Sequence, residues 1–243
     1  MVTEIASHRG GALLWPENSL LAFGHALALP AEQLELDVHL TADNEVVVIH
    51  DATLDRTTNG RGPVRAHSLA ALRAVRLRQA EREGVPTLAE AVALTRDAGR
   101  VLRLEIKADA DGRPYSAILP ACLAVLDAAG MRGRTVLMSF QPLSVVAAAT
   151  AGGFLRTVLL VGDRAWRGMG PLGGIALCRA CGAAELGVAI DELDAGAVAA
   201  LRAAGLGVGT WGANDVPGIR QALALGLDAI TTDDPPLALR LRG

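Results

Sequence analysis

The sequence predicts an α/β fold, a closed (β/α)8 barrel. Three observations point there. Apolar runs of strand length alternate with helical patterns along the whole chain, the mark of a parallel sheet covered by helices. Eight such runs fit within 243 residues, and a barrel of this kind takes about 250. No linker, low-complexity stretch or change of composition divides the chain, so residues 1–243 read as one domain.

The candidate strands are residues 4–7, 33–38, 101–107, 135–140, 155–161, 186–190, 206–211 and 228–231. Helices are expected over about 18–29, 87–98, 115–129, 142–150, 194–204 and 214–225, with a short one from Pro235. Asn18, Thr87, Asp194 and Asn214 are of the types that accept hydrogen bonds from a first helical turn. Gly99, Gly130, Gly205 and Gly226 stand where helices close. Residues 163–185 are glycine-rich at first and helical from about 175. A ninth run, 46–49, follows the second strand after only Thr41-Ala-Asp-Asn. That turn is too short for a parallel crossover, so the run pairs locally as an excursion above the barrel. The loop from about 51 to 86 is then long for a βα connection, and long loops in compact domains are usually functional.

Composition narrows the function. Hydrophobic residues make up 51% and charged residues 20%, with a net charge of −3. That excludes a disordered chain and gives no electrostatic reason to expect nucleic acid. An aromatic content of 3% leaves no base-stacking platform. No run is long and apolar enough to span a bilayer, no basic amphipathic helix suits a membrane surface, and the N-terminus lacks a signal-peptide pattern. Three cysteines form no disulfide framework. The expectation is a cytoplasmic protein without stable membrane association, of unknown oligomeric state. Of 23 basic residues one alone is lysine, Lys107.

Side chains alternate across a strand. In Leu34-Glu-Leu-Asp-Val38 the apolar residues suit the helix layer, so Glu35 and Asp37 point into the barrel or its mouth. Glu105 and Lys107 repeat the pattern on the next parallel strand. Three carboxylates and the single lysine thus meet at the strand ends where barrel enzymes hold their active sites. Clustered carboxylates need a positive partner, and a hard divalent cation, Mg2+ or Ca2+, prefers oxygen ligands. The structural alternative is a buried ion-pair network with Lys107. His8 ends the first strand and is followed by Arg9; His50 ends the excursion and is followed by Asp51. A histidine pair suits acid–base work near neutral pH, and the Arg9 fork suits a phosphate. His25 and His67 read as structural or solvated. Glu17 reads as complementing a helix dipole or as orienting the site. Cys178-Arg-Ala-Cys181 lacks a second ligand pair for zinc and reads as core. Two literal G-x-G-x-x-G matches, at 168–173 and 207–212, do not sit on a strand-to-helix turn and read as chance. Trp211, at the end of its strand, walls a substrate pocket or packs.

His8-Arg9-Gly10, Pro16-Glu17-Asn18-Ser19, Glu35-Leu-Asp37-Val38, His50-Asp51, Glu105-Ile-Lys107 and Gly226-Leu-Asp-Ala-Ile-Thr-Thr-Asp233 together resemble the glycerophosphodiester phosphodiesterases, over nearly the whole chain. Thr87-Leu-Ala-Glu90 and Trp211-Gly-Ala-Asn214 fit as well, while Ser19 and Gly212 depart from the commoner residues without removing a reactive group. The resemblance implies a TIM barrel with an insertion after the second strand. It implies metal-dependent hydrolysis of a glycerophosphodiester to sn-glycerol 3-phosphate and an alcohol. By that analogy Glu35, Asp37 and Glu105 bind the metal, His8 and His50 are the general acid and base, and Arg9 and Lys107 hold the phosphate or balance charge near it. The alternatives are a lysophospholipase D acting on lysophospholipids, a non-catalytic phosphate-ligand barrel and a sugar-phosphate isomerase.

Overall fold

The computed structural model describes residues 2–80 and 82–243; Met1 and Glu81, the latter inside the expected insertion, lie outside it. The strands are β1 (Glu4–Ser7), β2 (Gln33–Leu40), β3 (Val46–Val48), β4 (Val101–Ile106), β5 (Thr135–Ser139), β6 (Arg156–Val161), β7 (Glu185–Ala189), β8 (Gly207–Trp211) and β9 (Ala229–Thr232). All but β3 are parallel, and β1 pairs with both β2 and β9, which closes the expected eight-stranded barrel. The helices are α1 (Leu20–Leu27), α2 (Leu69–Ala74), α3 (Leu88–Asp97), α4 (Ile118–Ala128), α5 (Pro142–Ala151), α6 (Asp163–Cys181), α7 (Ala195–Ala203), α8 (Val216–Ala224) and α9 (Pro235–Arg242).

The alternation in β2 sorts its side chains as its sequence demands. Leu34, Leu36 and Val38 face outward into a core with Phe23, Val92 and Leu126. Gln33, Glu35 and Asp37 face inward and are fully or nearly fully buried. β3 runs antiparallel to β2, with Val38 opposite Val48. The Asp37 carbonyl accepts from Ile49 N, whereas the next carbonyl, Val38, accepts from Lys107 N. Successive carbonyls point to opposite strand edges, so β3 occupies the edge of β2 that β1 vacates after Ser7. This places His50, just past β3, at the mouth.

The barrel floor is polar. Arg103 donates to Glu185 Oε1 at 2.6 Å and to Gln33 Oε1 at 3.3 Å, and Arg156 donates to Glu185 Oε2 at 2.6 Å. Gly209 makes room for this pair, since a Cβ there would lie 2.6 Å from Glu185 Oε1 and 3.2 Å from Arg103 Nη2. Above it, Val136, Met138, Val158 and Leu160 fill the interior.

Two helices differ from expectation. α2 arises inside the insertion, capped by Ser68; six residues are too few to show a period. α6 starts at Asp163, twelve residues before the expected 175. It bends at Gly170 (φ 58°), and Pro171 opens the second segment, where its missing N–H costs no helical bond. The insertion packs Leu54, Val64, Leu72, Leu77 and Val85 against Val47 and Ile49 at β3. It is tied to the barrel by Glu83, which accepts from Leu20 N and Leu21 N at the start of α1. Cys122, Cys178 and Cys181 are buried, as core residues would be. Among the described residues, no helix is long and apolar enough to cross a membrane.

Candidate active site

Every residue singled out for the site lies at the C-terminal mouth of the barrel. Asp37 on β2 is in register with Glu105 on β4, and Glu35 with Arg103. Glu35, Asp37 and Glu105 each bring a carboxylate oxygen within 4.8 Å of the others. His8, Arg9, His50, Glu105, Lys107, Phe140 and Trp211 line one cleft of about 160 Å³ above them. Phe140 and Trp211 meet edge to face, with ring centroids 6.1 Å apart.

The chain after β1 makes the tightest turn of the site. Arg9 (φ 52°), Gly10 (φ 82°) and Gly11 (φ 97°) are all left-handed. Gly10 is required on a second count: a Cβ there would lie 2.8 Å from Ala22 Cβ. The turn aims the Arg9 backbone N–H at Glu35 Oε2, 2.8 Å away. The Arg9 guanidinium passes 3.3 Å from Asp37 Oδ2 and donates to Glu17 Oε1 at 3.2 Å. Lys107 Nζ donates to Glu105 Oε1 at 2.7 Å and lies 3.3 Å from Asp37 Oδ1.

Both imidazoles are oriented by an aspartate. His8 Nδ1 is 2.6 Å from Asp233 Oδ1, and His50 Nδ1 is 2.7 Å from Asp51 Oδ1. An ionised carboxylate can only accept, so each Nδ1 donates and each Nε2 is left for the cleft. His8 Nε2 lies 4.0 Å from Glu35. Arg56 draws the Asp51 carboxyl down to about 2. Asp233 is also depressed: burial opposes this, but His8 and Arg9 outweigh it.

The carboxylate cluster is electrostatically split. Burial, then the neighbouring Asp37, pushes the Glu35 carboxyl well above the ordinary range. Burial also raises Glu105, partly offset by Lys107. Asp37 is held low because Lys107 and Arg9 overcome its burial. Burial alone would depress His8, but Glu35 and Asp233 reverse this and raise it, whereas burial does lower His50. Glu35 Oε1 is buried without a hydrogen-bond partner, and Asp37 Oδ1 makes no hydrogen bond and has only the Lys107 ammonium 3.3 Å away. Buried carboxylate oxygens are rarely left unpaired, and a hard cation seeks an all-oxygen set. The residues present therefore fit a divalent metal.

Two expected helix caps fall one residue later, and the displaced asparagines serve the site. Ser19 caps α1 by accepting from Ala22 N. Asn18, buried and left-handed (φ 55°), instead donates to Asp37 Oδ2 at 2.9 Å. Likewise Asp215 caps α8, while Asn214 donates to Asp233 Oδ2 at 2.6 Å and accepts from Asp233 N at 2.8 Å. Glu17 is paired with Arg9 and Arg56, not spent on a helix terminus. His39 bridges Tyr115 Oη (2.8 Å from Nδ1) and the His50 carbonyl (3.0 Å from Nε2), and burial lowers its pKa to about 4, so the ring is neutral. His25 stacks on Trp15, and His67 contacts the Arg61 carbonyl; neither enters the cleft. The first glycine triplet falls within α6, and the second runs along β8.

The chain resembles solved structures over its full length. A crystal structure of an Agrobacterium tumefaciens protein, assigned as a glycerophosphoryl diester phosphodiesterase, superposes with a TM-score of 0.96 at 37% identity and covers 100% of this chain and 98% of that one. An Oleispira antarctica phosphodiesterase, solved with its product sn-glycerol-3-phosphate, gives 0.85 at 25% identity and covers 98% and 96%. A glycerophosphodiester phosphodiesterase of Caldanaerobacter subterraneus subsp. tengcongensis is 41% identical over 112 residues, covering 44% of this chain and 46% of that protein. The match thus spans less than half the length of that curated relative. The model of the glycerophosphoryl diester phosphodiesterase family matches residues 8–237, and with this barrel and this mouth the chain belongs to that family.

Proposed function

We propose that residues 1–243 act as one domain that hydrolyses glycerophosphodiesters to sn-glycerol 3-phosphate and an alcohol, using a divalent cation, Mg2+ or Ca2+. The observation that carries this reading is the convergence of Glu35, Asp37 and Glu105 within 4.8 Å, in a cleft that two aspartate-held imidazoles share. Glu35, Asp37 and Glu105 hold the cation. When bound, it supplies positive charge that stabilises the developing charge of the phosphoryl group.

Arg9 adds a fixed guanidinium at the same place, held by Glu17 and Asp37, and needs no reorganisation as charge develops. Lys107 lies between Glu105 and Asp37 with its amine raised above its usual pKa by both, against burial, so it stays cationic beside the phosphate. One imidazole takes the proton of the attacking oxygen through its free Nε2. The other protonates the departing alcohol oxygen. Phe140 and Trp211 wall the cleft with aromatic surface.

The test is a phosphodiesterase assay on metal-stripped protein, with each cation restored in turn and sn-glycero-3-phosphocholine as substrate. Turnover that returns with one cation supports the reading; inactivity with every cation overturns it. A second reading, hydrolysis of lysophospholipids, is favoured by one observation. Leu13 and Leu14 in the loop after β1, and Phe140 and Leu143 after β5, are exposed at the mouth, where they offer apolar contact to an acyl chain. Comparing sn-glycero-3-phosphocholine with lysophosphatidylcholine separates the two.

A further inference from the structure

The insertion returns one side chain across the mouth. Arg56 Nε and Nη2 donate to Asp51 Oδ2 and Oδ1 at 2.7 and 3.0 Å. Its Nη1 and Nη2 donate to Glu17 Oε2 and Oε1, both at 2.7 Å. One guanidinium thus grips two carboxylates, each through both oxygens. Glu17 belongs to the loop before α1 and is itself tied to Arg9. Asp51 belongs to the loop after β3, and the Oδ1 that Arg56 Nη2 holds is the oxygen that accepts the hydrogen bond from His50 Nδ1.

This grip is poorly explained by stability. The Arg56 side chain is 48% exposed, and exposed ion pairs add little to stability. What the grip does supply is orientation. Asp51 is next to His50 in sequence and sits on an irregular loop, so nothing in regular secondary structure sets its rotamer. Two hydrogen bonds from a planar fork set it, while two more anchor the fork to Glu17, as a lysine's single ammonium could not. The orientation of Asp51 in turn decides which ring nitrogen of His50 carries the proton.

We propose that Arg56 is a positioning residue for the hydrolytic reaction: it locks Asp51 against Glu17 and so holds the His50 imidazole with Nε2 toward the substrate. The proposal rests on the reading of His50 as an acid–base residue.

The test uses the full chain with its metal restored and sn-glycero-3-phosphocholine as substrate. Arg56→Ala should lower kcat by about 10- to 100-fold, the cost typical of removing a residue that orients a ligand or base from behind. KM should move less than about threefold, because no contact with the ground-state substrate is lost. Arg56→Lys should recover only part of kcat. Millimolar guanidinium should restore kcat of Arg56→Ala more than sodium chloride does at equal ionic strength. A kcat near that of the parent, a loss confined to KM, or equal restoration by sodium chloride would overturn the proposal. If the parent itself hydrolyses no glycerophosphodiester, it is the hydrolase reading that fails. The clamp is then judged by nitrogen NMR of the His50 ring. The parent should show a single Nδ1–H tautomer and Arg56→Ala a mixture; an unchanged tautomer in the variant would sink the clamp.

Discussion

His8 and Asp233 lie 225 residues apart in sequence and 2.6 Å apart in space, joined through His8 Nδ1. The first and last strands of the barrel are neighbours, and closure of the barrel is what brings this pair together. The mouth is therefore assembled from both ends of the chain.

Removing either imidazole should strike chemistry and spare the fold. His8→Ala and His50→Ala should each reduce kcat by about 10²–10⁴-fold, with unchanged far-ultraviolet circular dichroism. Full turnover in either variant would refute the assignment.

The cation should compete with protons. Glu35 is raised by burial and by Asp37, so it tends to hold a proton in the metal-free chain, and that proton must leave when a cation binds. Affinity should rise with pH, and calorimetry in buffers of different ionisation enthalpy should show proton release. Saturating metal should also raise the melting temperature, by linkage worth about 2.7 kcal/mol at a hundredfold excess over Kd. Glu35→Gln should lose both effects. Metal binding that is indifferent to pH would contradict this account.

Tyr115 offers a finer probe. Its hydroxyl holds His39, and His39 holds the His50 carbonyl. Tyr115→Phe removes one oxygen and should lower kcat by about 2- to 10-fold, the worth of one hydrogen bond. His39→Gln, whose amide can replace the Nε2 donor, should retain more activity than His39→Leu. Steady-state kinetics of the three variants would show whether that order holds.

The floor of the barrel makes a claim about stability. Burial opposes ionisation of Glu185, yet Arg103 and Arg156 outweigh it and lower its pKa. A carboxyl with a depressed folded-state pKa adds stability above its unfolded range and loses it as pH falls through the folded value. Acid should therefore destabilise the parent more than Glu185→Gln between neutral pH and pH about 3. At neutral pH that variant should be less stable by about 3–5 kcal/mol, because Arg103 is left buried and unpaired. Urea unfolding at the two pH values measures both.

The sequence exposed the barrel because its strands alternate and its helices carry caps, both local signals. It exposed Glu35, Asp37, Glu105, His8 and His50 because strand parity and strand ends can be read without tertiary contacts. For Asn18 and Asn214 the local sequence points to the wrong role. Each precedes a residue equally able to cap, Ser19 and Asp215, and only the fold shows which of the two is occupied elsewhere. Arg56 is opaque because its partner Glu17 lies in another loop, and of the two readings of Glu17 only the fold shows its pairing with Arg9 and Arg56. The first half of α6 was hidden by glycines and Pro171, which read as loop although the backbone bends at one point only.

The single lysine has a use at the bench. Lys107 carries the only side-chain amine in the sequence, and Glu105 and Asp37 keep it protonated. Acylating reagents need the neutral amine, so it should resist them while both carboxylates stand beside it. A cation that draws those carboxylates to itself loosens that protection. A mass increment on one peptide would then report how fully the cluster is occupied, with no background from other lysines.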